Sequence, residues 1–196
     1  MRWNARINLT AIRNEEETVT RHFGESLFAA RHLFPLYPVP SSVSPVVKDF
    51  DLAEARSPKP VARVADLGSG AGFPGIPIKL WIPNIALTLI ESNHKKATFL
   101  GEVARALTLT DVNIQNVRAE TLPPSTFDVI TLRAVERFAS TLPIAATLLA
   151  SAGRLVLLIA SSQLDTTRST LPTFSWHSPI PIPDSRSRLL LVGQLG

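Results

Sequence analysis

Apolar positions in the first part of the chain recur at helical spacing. Residues 14–34 carry apolar and small residues three to four positions apart, namely Val19, Phe23, Ser26, Leu27 and Ala30, which is typical of an amphipathic helix. Asn14 is a suitable N-cap, and Glu17 stands where a capping box requires a glutamate. The pattern predicts an N-terminal helical extension over residues 1–34, and the proline-rich stretch 35–60 is predicted to be a long connection.

Beyond residue 60 the pattern changes to short aliphatic runs that alternate with longer helical ones. Strands are predicted over 61–67, 86–91, 112–117, 127–132 and 155–159, and helices over 75–80, 94–108 and 137–150. Such alternation is typical of a parallel sheet covered on both faces. We therefore predict an α/β fold with a doubly wound, mostly parallel sheet in a domain over residues 61–196. Two closing strands are predicted over 174–177 and 188–195.

The composition is that of a globular chain without cysteine. Of its 196 residues, 45% are hydrophobic and 18% are charged, which is too apolar for a disordered chain. The lack of cysteine excludes disulfides, Cys-ligated zinc and a thiol nucleophile. Because no apolar run approaches the roughly 20 residues that span a bilayer, and the N-terminus does not resemble a signal peptide, we expect a cytoplasmic protein without a membrane partner. The net charge of +4 permits a nucleic-acid partner but does not establish one.

The strongest local motif is the segment 66–75, Asp-Leu-Gly-Ser-Gly-Ala-Gly-Phe-Pro-Gly, where a predicted strand runs into a glycine-rich turn and a helix. Small residues let a ligand approach backbone N–H groups at the helix start, and the crevice is expected at the carboxyl end of the strand. The G-x-G-x-G spacing differs from the G-x-G-x-x-G of dinucleotide folds, and no Walker lysine follows. Asp66 suits S-adenosylmethionine (SAM), whose cationic groups need acceptors. A nicotinamide-dependent oxidoreductase and a turn used only for packing remain alternatives.

Three further positions support a nucleoside ligand. Glu91 ends the second predicted strand, where a carboxylate can accept hydrogen bonds from both ribose hydroxyls. This geometry is shared with NAD enzymes, and a solvated acid is the alternative. The loop at 118–120 follows the third strand and would flank the adenine. Arg133 ends the fourth strand and would lie at the rim of the site, although a lone arginine there is more often a surface charge.

Ordered motifs spread along the chain then point to a family. They are Trp3-Asn4, residues 8–13 (Asn-Leu-Thr-Ala-Ile-Arg), Arg21-His22-Phe23, Ser26-Leu27, residues 66–77, Arg118-Ala119-Glu120 and Arg133-Ala134. In these motifs the sequence resembles the RsmG, or glucose-inhibited division protein B, family of bacterial methyltransferases, which form 7-methylguanosine in 16S ribosomal RNA.

The resemblance implies a Rossmann-like methyltransferase fold, SAM as cofactor and no metal. The implied cofactor-binding residues are Asp66, Gly68, Gly70, Gly72, Phe73, Glu91, Ala119, Glu120 and Arg133. The implied catalytic residues are Arg133, His22 and Asn8, with a purely structural histidine as the alternative for His22. The expected partner is 16S ribosomal RNA or the small ribosomal subunit, and the enzyme is expected to be a monomer. Guanine N7 carries a lone pair and no proton, so positioning and electrostatics would suffice for methyl transfer.

The chain departs from the family pattern at identifiable points. Glu25 stands where the family has aspartate, and Ala160-Ser161-Ser162 follows the fifth strand where the family has Lys-Gly. The chain also looks short at its N-terminus, where the family has a further helical segment. The short N-terminus and the missing Lys-Gly support an alternative hypothesis, a SAM-binding protein of the same fold with lost or weak catalysis that acts as a binding module.

Overall fold

The structure is a computed structural model that describes residues 7–10, 12, 14–34 and 60–195. The predicted connection over 35–60 lies outside the described residues except for Pro60, as does the Trp3-Asn4 motif.

The predicted N-terminal helix is present and is interrupted by one π-helical segment. It consists of α1 (Glu15–Thr18), the π-helical segment Val19–Gly24 and α2 (Glu25–Leu33). Asn14 caps it as predicted, since its side chain accepts a hydrogen bond from the Glu16 N–H at 2.8 Å. Glu17 does not close a capping box and instead contacts Arg21 at 2.7 Å.

The predicted apolar stripe of this helix is only partly correct. Ser26 and Ala30 are buried as expected, but Val19 is 60% exposed and Phe23 is 38% exposed. The face that packs inward carries His22, Glu25, Ser26, Ala29, Ala30 and Leu33. A π-helical turn contains more residues than an α-helical turn, so the segment rotates the preceding residues away from the face that α2 buries.

The sheet has eight strands in the described part of the chain. They are β1 (Arg63–Leu67), β2 (Ala86–Ile90), β3 (Val112–Gln115), β4 (Phe127–Arg133), β5 (Leu149–Ala160), β6 (Phe174–Trp176), β7 (Ile180–Pro181) and β8 (Arg188–Leu195). Their order is β3-β2-β1-β4-β5-β8-β6, and β7 also pairs with β8. The first five strands are parallel, whereas β8 is antiparallel to β5, β6 and β7. The predicted doubly wound, mostly parallel sheet is therefore confirmed.

Helices connect the strands on both faces of the sheet. They are α3 (Gly75–Trp81), α4 (His94–Ala106), α5 (Phe138–Leu148) and α6 (Leu164–Thr170), with short 3-10 turns at Ala119–Thr121 and Ser161–Gln163. The sequence pattern identified α3, α4 and α5, but it missed α6, whose sequence Leu-Asp-Thr-Thr-Arg-Ser-Thr is mostly polar. Strand β5 also starts six residues earlier than predicted, at a register shift opposite β4.

Two apolar clusters fill the space between the sheet and its helices. One cluster packs Ala29, Ala30 and Leu33 of α2 against residues of β1, β2 and α3. The other cluster packs α5 against β4 and β5. The N-terminal helix therefore belongs to the core on one face of the sheet.

One buried lysine in α3 has a structural role. Lys79 is 2% exposed, and its Nζ donates to the carbonyl oxygens of Pro83 and Ile85 at 2.6 Å each. Burial lowers the pKa of Lys79. These two bonds fix the turn between α3 and β2.

Candidate active site

A cavity of about 910 Å³ opens at the carboxyl ends of the parallel strands. The strand order reverses between β1 and β4, and crevices at such a switch point are where open α/β sheets bind ligands. Most of the predicted site residues line this cavity: Asn8, His22, Gly68, Gly70, Phe73, Glu91, Ala119, Glu120 and Arg133. Residues up to 125 positions apart are thus assembled in one place by the topology of the sheet.

The three glycines of the loop have different surroundings. All have positive φ, +72° at Gly68, +54° at Gly70 and +89° at Gly72. A Cβ on Gly70 would meet only the Gly68 carbonyl oxygen at 3.8 Å, so the space above it is open. A Cβ on Gly72 would collide with the Ile76 side chain. Gly70 therefore borders the cavity, whereas Gly72 lies behind the loop in contact with protein.

Asp66 also lies behind the loop and not on the cavity wall. Its side chain accepts hydrogen bonds from Thr131 Oγ1 at 2.8 Å and from the Gly75 N–H at 3.1 Å, which ties β1 to β4 and to the start of α3. Burial raises the pKa of Asp66 to about 6, and the bonds to Thr131 and Gly75 oppose that shift. The geometry gives Asp66 a role in shaping the loop from beneath.

Glu91 fixes the other side of the glycine loop. One carboxylate oxygen accepts the Gly70 N–H at 2.9 Å, and the other accepts the Asn93 N–H at 2.8 Å. The residue is 7% exposed and lines the cavity. Because the carboxylate is held by two backbone groups, it is pre-oriented at the end of β2.

An aromatic stack forms the wall beside the loop. The rings of His22 and Phe73 are stacked at 4.7 Å, and Phe23 contacts Phe73 edge-on at 5.0 Å. His22 Nε2 is 2.8 Å from Thr10 Oγ1. Burial, followed by the positive charges of Arg133 and Arg21, lowers the pKa of His22 to about 4. His22 is therefore neutral at physiological pH.

A buried charge cluster joins the N-terminal helix to the cavity. Glu25 is 3% exposed and lies between two guanidinium groups, with Arg133 Nε at 3.0 Å from one carboxylate oxygen and Arg188 Nε at 2.8 Å from the other. Arg133 also donates to the Arg21 carbonyl oxygen at 2.9 Å. Burial lowers the pKa of Arg133.

Sequence reasoning missed part of the cavity wall. Arg188, Arg137 and Lys96 line it and were not predicted. Glu25 was noted only as a departure from the family pattern. A charged residue one turn after His22 on the inward face could have been found by helical spacing, but the pairing of Arg188 depends on the register of β8, which no local pattern specifies.

Fold and cavity together define the class of protein. A parallel sheet extended by an antiparallel strand, with a glycine loop at the switch point, is the architecture of a Rossmann-like methyltransferase. Among solved structures, the ribosomal protein L11 methylase of Lactobacillus delbrueckii subsp. bulgaricus matches with a TM-score of 0.64 over 94% of this chain and 81% of that chain, at 16% identity. A predicted O-methyltransferase from Agrobacterium tumefaciens matches with a TM-score of 0.60 over 72% of this chain and 77% of that chain, at 18% identity.

The sequence profile of the GidB family, rRNA small subunit methyltransferase G, matches residues 50–179, and the chain belongs to this family. The Ribosomal RNA small subunit methyltransferase G of Xylella fastidiosa (strain 9a5c) is 38% identical over 157 residues, 80% of this chain and 62% of that protein. The protein of the same name from Roseiflexus castenholzii is 38% identical over 143 residues, 70% of this chain and 51% of that protein. The chain thus spans between half and two thirds of the length of these relatives.

None of the helices among the described residues is long and apolar enough to cross a membrane. Within the same ranges, no cluster of three or more His, Asp or Glu side chains is arranged to hold a metal ion.

Proposed function

We propose that the protein is a SAM-dependent methyltransferase that forms 7-methylguanosine in 16S ribosomal RNA. One observation carries the proposal: the glycine loop and the Glu91 carboxylate face a single cavity at the switch point of the sheet. Membership of the GidB family supports an RNA substrate, and the relatives are named for the small ribosomal subunit.

The residues around the loop fit SAM. The open space above Gly70 gives a ligand access to the backbone, and Glu91 offers carboxylate oxygens at the end of β2 for ribose hydroxyls. Ala119 and Glu120 lie on the adjoining wall, where they would flank the adenine. The cavity volume of about 910 Å³ lies within the usual range of ligand sites, roughly 300–1,000 Å³. SAM, when bound, supplies a methyl group activated by a sulfonium.

The chemistry of guanine N7 matches what the cavity offers. N7 has a free lone pair and no proton, so a residue that accepts a proton is not required, and rate enhancement would come from positioning. His22 is neutral at physiological pH because its pKa is about 4. It therefore adds no positive charge next to the positively charged sulfonium of the methyl donor. We assign Arg133, His22 and Asn8 to orienting the base at the cavity mouth, and Arg133 also to contact with the cofactor.

The proposal also covers the organisation of the whole protein. Residues 61–196 would form the SAM-binding domain, with residues 1–34 as a helical extension that completes the cavity and 35–60 as the connection. We propose a monomer in the bacterial cytoplasm that acts on ribosomal RNA alone or within the small subunit.

A methylation assay tests the proposal. Small-subunit RNA from a strain that lacks this protein is incubated with the full chain and SAM, and the nucleosides are analysed by mass spectrometry. We expect one new 7-methylguanosine. SAM binding by calorimetry without that product would favour the alternative of a SAM-binding protein without catalysis, and binding of NAD in place of SAM would refute the cofactor assignment.

A further inference from the structure

The charge cluster at the N-terminal helix is not balanced. Arg133 and Arg188, whose side chains are 8% and 17% exposed, share the single carboxylate of Glu25. Asp66 is the other buried acid near Arg133, but both its oxygens accept from Thr131 and Gly75. Buried charges are costly unless they are paired, so this pair of arginines leaves one positive charge to be met by an anion.

Both guanidinium groups border the cavity while Glu25 lies behind them. Arg133 and Arg188 are lining residues, and each is anchored by a backbone carbonyl, Arg21 O for Arg133 at 2.9 Å and Leu158 O for Arg188 at 3.2 Å. These anchors and Glu25 fix the orientation of the two planar groups. A planar, pre-oriented guanidinium is the side chain best suited to bind phosphate or carboxylate oxygens.

The position of Arg188 in the sheet indicates which anion it binds. Arg188 begins the antiparallel strand β8 and pairs with Ala160 at the end of β5, so it lies at the same edge of the sheet as the glycine loop. Two strands, β4 and β5, separate β8 from β1, which places Arg188 roughly 14 Å along the sheet from the loop. The cofactor is proposed to occupy the loop side, and Arg133 is among its expected contacts, so Arg188 faces the remaining part of the cavity.

We propose that Arg188, held in place by Glu25 beside Arg133, forms an oxyanion-binding subsite that takes a phosphate group of the RNA substrate. The subsite rests on the proposed function for the identity of its ligand. It would fix the strand that carries the target guanine beside the aromatic wall of His22 and Phe73. Arg188 is thus a substrate-positioning residue in the closing strand.

The first experiment asks whether an oxyanion binds there. The melting temperature of the full chain is measured in inorganic phosphate and in sodium chloride of equal ionic strength, for the wild type, Arg188→Gln and Arg188→Lys. We expect phosphate to stabilise the wild type more than chloride, with the difference lost in Arg188→Gln and reduced in Arg188→Lys. Equal melting temperatures of the wild type in the two salts would refute the subsite. This measurement does not depend on methyl transfer.

The second experiment asks whether the oxyanion belongs to RNA. The Kd values for small-subunit RNA and for SAM are measured at several salt concentrations. Arg188→Gln is expected to raise the Kd for RNA about tenfold, to reduce the salt slope by about one and to leave the Kd for SAM unchanged. An increase confined to the Kd for SAM would assign the anion to the cofactor carboxylate and overturn the proposal.

Arg154→Gln is the matched control. Arg154 is also partly buried and also donates to a backbone carbonyl of the N-terminal helix, Leu33 O at 3.2 Å, but it does not line the cavity. We expect unchanged Kd values for RNA and SAM in this variant. A failure of the proposed function is recognised separately, because the wild type would then form no 7-methylguanosine, whether or not it binds SAM and whatever the phosphate measurement gives.

Discussion

At the scale of single residues, Gly70 combines a left-handed backbone conformation with open space for a ligand. Its φ of +54° is tolerated by asparagine better than by most other residues, and the space above it is open. We expect Gly70→Asn to leave the melting temperature within a few degrees while raising the Kd for SAM by roughly tenfold to a hundredfold, which corresponds to about 1–3 kcal/mol of steric conflict. Calorimetry measures the affinity, and an unchanged Kd would mean that the cofactor does not lie on this loop.

Two buried ionisable residues give the stability of the protein opposite dependences on pH. The pKa of Asp66 is raised to about 6, so the folded state holds a proton more tightly than the unfolded state. Its contribution to stability falls as pH rises from about 4 to 6. The pKa of His22 is lowered to about 4, so its contribution falls as pH decreases from about 6.5 to 4. Each amounts to about 3 kcal/mol over its window.

Because the two windows overlap, we expect them to cancel in the wild type and to separate in single variants. Asp66→Asn should make the free energy of unfolding fall steeply on acidification between pH 6.5 and 4. His22→Gln should make it rise over the same range. Urea titrations at several pH values measure both slopes, and slopes of the same sign in the two variants would contradict the assignment.

At the scale of elements, the N-terminal helix shows how a single irregular turn changes which residues are buried. Leu33 is 2% exposed within the core cluster, whereas Val19 is 60% exposed. We expect Leu33→Ala to lower the free energy of unfolding by about 2–5 kcal/mol and Val19→Ala to change it by less than about 0.5 kcal/mol. Urea denaturation distinguishes the two variants. A large decrease in the free energy of unfolding of Val19→Ala would mean that Val19 is buried, as the apolar stripe predicts.

The same helix shows which structural features a local sequence pattern can predict. The existence of the helix, the first five strands and the glycine loop follow from spacing and residue type, because strands that alternate with helices leave few topologies. The exposure of Val19 does not follow, since an α-helical period assumes that no π-turn intervenes. Helix α6 was missed because its polar sequence carries no apolar stripe.

In the candidate site, too, some residues can be predicted from the sequence and others depend on tertiary contacts. Gly70, Glu91 and Arg133 are found by their places at strand ends, where the topology brings ligand-binding groups together. The contribution of Arg188 depends on the pairing of β8 with β5, a contact between distant segments. The positions of Asp66 and Gly72 behind the loop depend on side-chain packing that a motif cannot distinguish from contact with a ligand.

At the scale of the whole molecule, Glu25 connects the first helix to the last strand. It lies between Arg133 of β4 and Arg188 of β8, so segments more than 160 residues apart meet at one carboxylate. We expect Glu25→Gln to lower the free energy of unfolding by about 3–5 kcal/mol, because two buried arginines would lose their counter-ion.

Glu17→Gln is the control for this variant. Glu17 pairs with Arg21 at 2.7 Å, but both side chains are more than 40% exposed, and exposed ion pairs contribute about 1 kcal/mol or less. Comparable losses in the two variants, measured by urea denaturation, would show that burial does not set the strength of the Glu25 contacts.

The buried Lys79 has a consequence for chemical labelling. Its amine is enclosed with two carbonyl oxygens, while Lys95 on α4 is exposed. An amine-reactive reagent must therefore modify Lys95 directly but can reach Lys79 only when the turn between α3 and β2 opens. The labelling rate of Lys79 relative to that of Lys95 thus measures how often the turn between α3 and β2 opens locally in the native protein.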